Sequence, residues 1–293
     1  MGRFASTDKQ AASVIKELQD KHIVNSLGTA RNYTQALTRV AEFVKDQKIY
    51  DLRSLTLDQA KLYLAVRGEQ VGQKALDMER QAVQAMFSHI TGQLLPNQKM
   101  QAKSEKEQIL NGRSYTSEQV KIVADHQKGS NKLATEVAHA SGLRAHELLT
   151  IRPTAERSAD ERPALDSKWL GREGHIYTVH GKGGLVREVL IPTELAQQLE
   201  AVRFNSPVRV TDRTIHYQQH YNISGGNRWS ASFNAAANRS LGWSSGAHGL
   251  RHSYAQERMK ELQSLGLTRA KSLETVSQEM GHFRPEITEV YLR

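Results

Sequence analysis

At 293 residues the chain is longer than the usual single domain, so two domains are expected. Its 38% hydrophobic and 24% charged residues suit a soluble globular protein; no apolar run approaches the roughly 18 residues of a membrane span, and no secretory leader is expected. Zero cysteines exclude disulfides and Cys-ligated metals, while a net charge of +9, shared as +4 over residues 1–110 and +5 over 111–293, favours an anionic partner gripped by both halves.

A first helix is expected over about 8–24, with Ile15 and Leu18 inward. From Tyr33 the apolar positions Tyr33, Ala36, Leu37, Val40, Ala41 and Val44 follow the spacing of an amphipathic helix. Thr56-Leu57-Asp58-Gln59 has capping-box form and opens a third helix through about 66, punctuated by Gly68 and Gly72. A fourth, about 73–91, buries Leu76, Val83, Met86, Phe87 and Ile90. Four helices with short connections make an all-helical domain, 1–95. Residues 92–113 lose periodicity and turn polar and lysine-rich, which places an interdomain linker at 96–113.

The second domain, 114–293, opens at Thr116-x-x-Gln119, another helix start, with helices over about 117–127 and 130–141. The charged stretch 153–174 predicts a loop insertion. One hairpin is expected: Ile176, Tyr177 and Val179 lead into Gly181-Lys182-Gly183-Gly184, and Val186, Val189, Leu190 and Ile191 follow. Further helices are expected at about 194–203, 229–241, 252–265 and 271–281. The fold class is therefore mainly α with a small β-sheet.

A set of polar residues is spread over this second domain. Ala140-Ser141-Gly142-Leu143-Arg144 is followed by Glu147, and His248-Gly249-Leu250-Arg251-His252 comes about a hundred residues later. Met280-Gly281-His282 stands nine positions before Tyr291. Each has an ordinary explanation alone: Arg144 and Glu147 make an i, i+3 ion pair, Gly-Lys-Gly-Gly is a common turn, and a late tyrosine is usually packing. His248 and His252 have the spacing of a metal half-site, but no cysteine or carboxylate cluster completes it, and neither metal nor cofactor is expected. Together the residues have one chemistry. Arg144 and Arg251 can hold the two non-bridging oxygens of a phosphodiester and stabilise a pentacoordinate transition state. His248 and His282 can donate to the same oxygens or shuttle protons. Tyr291 offers an oxygen nucleophile, and Lys182 can reach a leaving 5′ oxygen as general acid.

On these boxes the chain resembles the tyrosine recombinases of the phage-integrase, Xer and Cre kind, over essentially its whole length. The family's first arginine box matches Gly142-Leu143-Arg144 with Glu147-Leu148, its hairpin lysine Lys182, and its second box His248, Leu250, Arg251 and His252. Its last box matches Gly281-His282, followed by Thr288 and the nucleophile Tyr291. The resemblance implies an N-terminal helical, SAM-like core-binding domain and an α+β catalytic domain. It also implies cutting and rejoining of DNA through a 3′-phosphotyrosyl bond, without metal or ATP. The catalytic set is then Arg144, Lys182, His248, Arg251, His282 and Tyr291, with Glu147 and His252 in support. Implied partners are double-stranded DNA with inverted-repeat core sites, a tetramer of the chain on two such sites, and DNA-bending accessory proteins, in a bacterial cytoplasm at the nucleoid.

Some features depart from the family. Arg251 and His282 stand 31 positions apart, wider than in Xer-like relatives, with 263–273 as the expected insertion. Relatives continue past the tyrosine with a segment that docks on a neighbour; here Leu292 and Arg293 follow, so a monomer is expected without DNA, with α-helical residues 8–24 as a substitute contact. The insertions favour the integrase of a mobile element. The alternatives are a Xer-type dimer resolvase and, more distantly, a type IB topoisomerase. A DNA-binding protein that kept the fold and lost the reaction is a third reading, and a helical protein-binding scaffold a fourth.

Overall fold

The computed structural model describes residues 5–293 apart from Pro96, Ile109 and Phe283; the side chain of Lys182 also lies outside the described residues. The chain divides into two compact units, Met1–Ile109 and Leu110–Arg293.

The first unit packs α1 (Thr7–Asp20), α2 (Leu27–Asp46), α3 (Leu57–Gln70) and α4 (Gln73–Met86) around one core that includes Leu18, Leu37, Val40, Tyr63, Val83 and Phe87. α1 stops short of residue 24 because His22 takes a left-handed conformation, φ +55°. α2 begins six residues before Tyr33, where the Ser26 hydroxyl accepts the Thr29 N–H at 3.0 Å and caps the first turn. Thr56 and Gln59 form the expected capping box. Gly68 is not a breaker. α3 runs through it, and a Cβ there would meet the Lys103 carbonyl oxygen at 2.8 Å, so the missing side chain admits a neighbouring strand of backbone. That neighbour belongs to the segment whose composition reads as linker. Leu94 and Met100 are buried in the helical core, the Ser104 N–H reaches Gln73 at 2.9 Å, and its hydroxyl donates to Val71 O at 2.7 Å. Polar groups here satisfy the last carbonyls of α3 and the side chain of Gln73 at the start of α4, which a hydrophobicity pattern does not register.

The second unit starts with α5 (Ser117–Asp125), capped by Thr116 and Gln119, and α6 (Ser130–Ser141). An antiparallel sheet follows, β1 (Arg152–Pro153), β2 (His175–His180) and β3 (Val186–Ile191), with Tyr177 opposite Val189 and the turn at 182–184 as expected. The loop between β1 and β2 docks on the later helix α10 (Arg269–Glu279): Leu165 N–H bonds Gln278 at 2.9 Å and Trp169 N–H bonds Glu279 at 3.0 Å. After α7 (Thr193–Ala201) the chain departs from expectation. Where one hairpin was expected in the domain, the stretch between the helices expected at about 194–203 and 229–241 forms a second, β4 (Arg203–Asp212) and β5 (Ile215–Tyr221). Its turn residues Arg213 and Thr214 both have positive φ, +49° and +70°, without the Gly or Asn that normally marks such a turn. Pro207 and an irregular register between Arg203 and Val208 further hide the strand period. α8 (Gly226–Leu241), α9 (Gly249–Ser264), α10 and the short α11 (Pro285–Glu289) complete the unit. The stretch 263–273 forms the α9–α10 corner, where Gly266 (φ +91°) turns the chain and Thr268 caps α10.

Candidate active site

The site is built on a buried carboxylate. Gly142 ends α6 in a left-handed conformation, φ +59°, with the Tyr254 ring where a side chain would lie. The turn that follows brings Arg144 over Glu147, whose side chain is fully buried. Glu147 Oε2 accepts the Arg144 backbone N–H at 2.7 Å, and Oε1 accepts Nη1 of the same arginine at 2.8 Å. From β3, Arg187 Nη2 reaches Glu147 Oε2 at 2.8 Å, and its Nη1 reaches the Glu279 carbonyl at 2.8 Å. Burial alone would raise the Glu147 pKa, but Arg187, Arg251 and Arg144 together hold it well below the carboxylate range. The pair Arg144–Glu147 is thus the base of a charge network and not a surface ion pair.

Arg251 enters from the first turn of α9 and is fully buried. It donates to the carbonyls of Gly142 and Met280, which end α6 and α10, and its Nη2 lies 3.0 Å from His282 Nε2. Arg144 Nη2 lies 3.3 Å from the same nitrogen. Burial, then Arg144 and Arg187, bring the Arg251 pKa down to about 9, which leaves it cationic at neutral pH. Its Nε–H is buried and has no partner among the described residues. Gly281 sets His282 in place: its φ is +69°, and a Cβ would strike the Arg187 side chain.

His282 Nε2 accepts from two guanidiniums, so the proton of the neutral ring is assigned to Nδ1, which donates to Thr288 Oγ1 at 2.9 Å. Burial and the facing arginines push its pKa down to about 3. Burial and nearby cations likewise bring His252 to about 4, and His248, although the residue keeps exposed surface, to about 4. All three rings are neutral at pH 7. His282 is therefore an acceptor in this state, whereas its residue type alone leaves donor and proton-carrier roles equally open.

Tyr291 closes the cluster from a single 3-10 turn, Val290–Leu292, held where Gln256 Nε2 donates to its carbonyl at 3.2 Å. Its ring centre lies 4.7 Å from that of His252, 5.2 Å from His282 and 5.5 Å from His248, and Arg251 Cζ is 5.5 Å from it. The side chains of Arg144, Glu147, His248, Arg251, His252, His282 and Tyr291 thus meet in one place. Lys182 stands in the β2–β3 turn by its backbone, and its side chain lies outside the described residues.

No protein-family model and no curated protein sequence matches the chain. Solved structures do. The chain is similar to the XerH site-specific recombinase bound to palindromic difH substrate in a post-cleavage complex: TM-score 0.60, 16% identity, 99% of this chain and 82% of that one. It is also similar to a lambda integrase tetramer bound to a Holliday junction, with TM-score 0.62 and 14% identity, over 98% of this chain and 77% of that one. The Tn1549 transposon integrase in complex with transposon right end DNA gives TM-score 0.57 and 13% identity, over 99% and 95%. The chain has the tyrosine-recombinase fold.

Within this recombinase fold one residue of the cluster escaped the sequence, Arg187. Its signal was present: strand alternation puts Arg187 on the same face of β3 as the buried Val189. A cation on an inward register demands a buried anion, and Glu147 supplies it.

The depressed histidines are expected to make the second unit acid-sensitive. A ring with a folded pKa near 3, against about 6.5 unfolded, is neutral in both states above pH 6.5; below that the unfolded chain binds the extra proton, so stability falls as pH falls. For the nearly buried His282 the loss by pH 5 is about 2 kcal/mol. Urea unfolding at pH 7 and pH 5 checks it, followed by fluorescence of Trp169, Trp229 and Trp243, which all lie in the second unit. His282→Gln is expected to lose about 2 kcal/mol less than the wild type over this range; equal losses contradict the neutral ring.

Proposed function

We propose that this protein is a site-specific DNA recombinase, the integrase of a bacterial mobile element, with Tyr291 as nucleophile. The observation that carries the reading is the meeting of Arg251 and three histidines on the Tyr291 ring, with Arg144 facing the same His282 nitrogen as Arg251. A phosphodiester is the ligand this set suits. Its two non-bridging oxygens take the donors of Arg144 and Arg251 that now point at His282 Nε2, and the unpartnered Arg251 Nε–H adds another. Once the guanidiniums turn to phosphate, His282 Nε2 is free to receive the phenolic proton, and the anion beside it raises its basicity.

The Tyr291 oxygen attacks phosphorus, a 3′-phosphotyrosyl bond forms, and the bond to the 5′ oxygen breaks. Lys182 gives that oxygen its proton. A 5′ hydroxyl of a partner duplex then reverses the step, so the number of phosphodiester bonds is conserved and no ATP is consumed. Residues 1–95 act as the core-binding domain and 114–293 as the catalytic domain. Both carry excess positive charge, which supports one DNA partner for the two. Four protomers assemble on two inverted-repeat sites.

The test is a duplex that carries the inverted repeats flanking the gene, nicked beside the cleavage position so that a short strand diffuses away. In EDTA and without ATP, a covalent protein–DNA band on a denaturing gel supports the enzyme. DNA binding without that band leaves a silent DNA-binding protein. The role of Lys182 has its own check. Replacing the bridging 5′ oxygen by sulfur lowers the need for an acid, so the sulfur substrate is expected to rescue Lys182→Ala but not Arg144→Ala. No rescue returns Lys182 to a turn or DNA-contact role.

A further inference from the structure

The second hairpin, unseen in the sequence, is unusual in being almost wholly exposed along β4. A two-stranded ribbon is at best marginally stable in water by itself, so something has to fix it. Its root is fixed. Tyr221 is buried and donates to Glu200 at 2.8 Å, the Ser224 N–H bonds Ser130 O at 3.1 Å, and the Gly226 N–H bonds Ala145 O at 2.7 Å. Ala145 follows Arg144, so the ribbon springs from the turn that carries a phosphate-binding arginine of the proposed site.

The register sorts the arm into two faces. Val208, Val210, Ile215 and Tyr217 share one. Arg209 opposite Gln218 and Thr211 opposite His216 make the other, and all four are exposed. This second face holds no acid. The nearest, Asp212, is turned away to accept the Asn227 N–H at 2.8 Å. Thr211 and His216 bond each other at 2.8 Å, whereas the side chains of Arg209 and Gln218 have no hydrogen-bond partner among the described residues. Arg213 adds a cation at the tip.

We infer that this ribbon lies in the major groove of the bound DNA and reads base edges there, with Arg209 and Gln218 as its specificity residues. The inference rests on the DNA-recombinase reading above. Three features favour DNA over a protein partner: the polar face is cationic, it is free of carboxylates, and its unpaired side chains are the types that bond base edges bidentately, Arg to guanine and Gln to adenine. A major groove about 12 Å wide admits a two-stranded ribbon. The anchor at Ala145 means that a duplex held by Arg144 passes beside the arm.

Selection from a pool of duplexes with a randomised central segment tests this with no target sequence assumed. The intact wild-type chain is expected to select a site in which one short block loses its information with Arg209→Ala/Gln218→Ala, while the other positions persist. Arg209→Lys keeps the charge and loses the fork, so it is expected to keep affinity for unselected DNA and to lose about tenfold in guanine preference within that block. Sites unchanged in both variants overturn the ribbon and leave the recombinase reading intact; the arm then serves a protein contact through its Val208 and Ile215 face. A wild-type chain that retains no DNA overturns both. Because Arg209 and Gln218 are exposed and their side chains bond no side chain or backbone group among the described residues, the variants are expected to melt as the wild type does.

Discussion

Tyr291→Phe is expected to bind DNA as tightly as the wild type and to form no covalent adduct. The ring keeps its contacts with His252, His282 and Arg251, so the 3-10 turn stays closed over the site. The hydroxyl makes no hydrogen bond among the described residues, so its removal strands no buried partner. What is lost is the attacking oxygen alone. Band shifts measure affinity, and denaturing gels with the nicked duplex measure the adduct. Adduct at normal yield in this variant removes Tyr291 from the chemistry.

Arg144→Ala is expected to slow cleavage by about 10²-fold or more with little loss of affinity, as for removal of one preorganised charge that stabilises a phosphorane-like transition state. The arginine choice follows from the packing. Arg251 holds the ends of α6 and α10 through two carbonyls, so its loss mixes folding with catalysis. Arg144 is partly exposed, and Glu147 keeps Arg187 as a counter-charge when Arg144 is gone. A single-turnover rate near the wild-type value, in a variant that melts normally, contradicts the phosphate clamp.

What the sequence disclosed depends on how local the cause is. Helices with a cap and a continuous apolar stripe, such as α3 and α5, can be read because both signals lie within one turn or two of each other. The second hairpin could not, since its turn uses Arg213 and Thr214 at positive φ and its strands bury almost nothing. Gly68 was misread for a related reason: its partner, Lys103, is distant in sequence, so a close approach looked like a helix end. The site divides in the same way. Residue types and spacing singled out Arg144, His248, Arg251, His282 and Tyr291, but Arg187 is defined by a partner forty positions away. Spacing also says nothing of protonation. The neutrality of His282 comes from its burial together with Arg251 and Arg144, and only the convergence of these two arginines on one nitrogen fixes its tautomer.

The central claim is that the phenolic oxygen of Tyr291 becomes bonded to DNA phosphorus. Mass spectrometry of the protease-digested covalent complex, formed on the nicked duplex and trimmed by nuclease, reads that bond directly. The predicted result is a single modified peptide from the C-terminal end of the described chain, with a nucleotide phosphate on Tyr291. A nucleotide on any other tyrosine, on a serine, or on no peptide contradicts it.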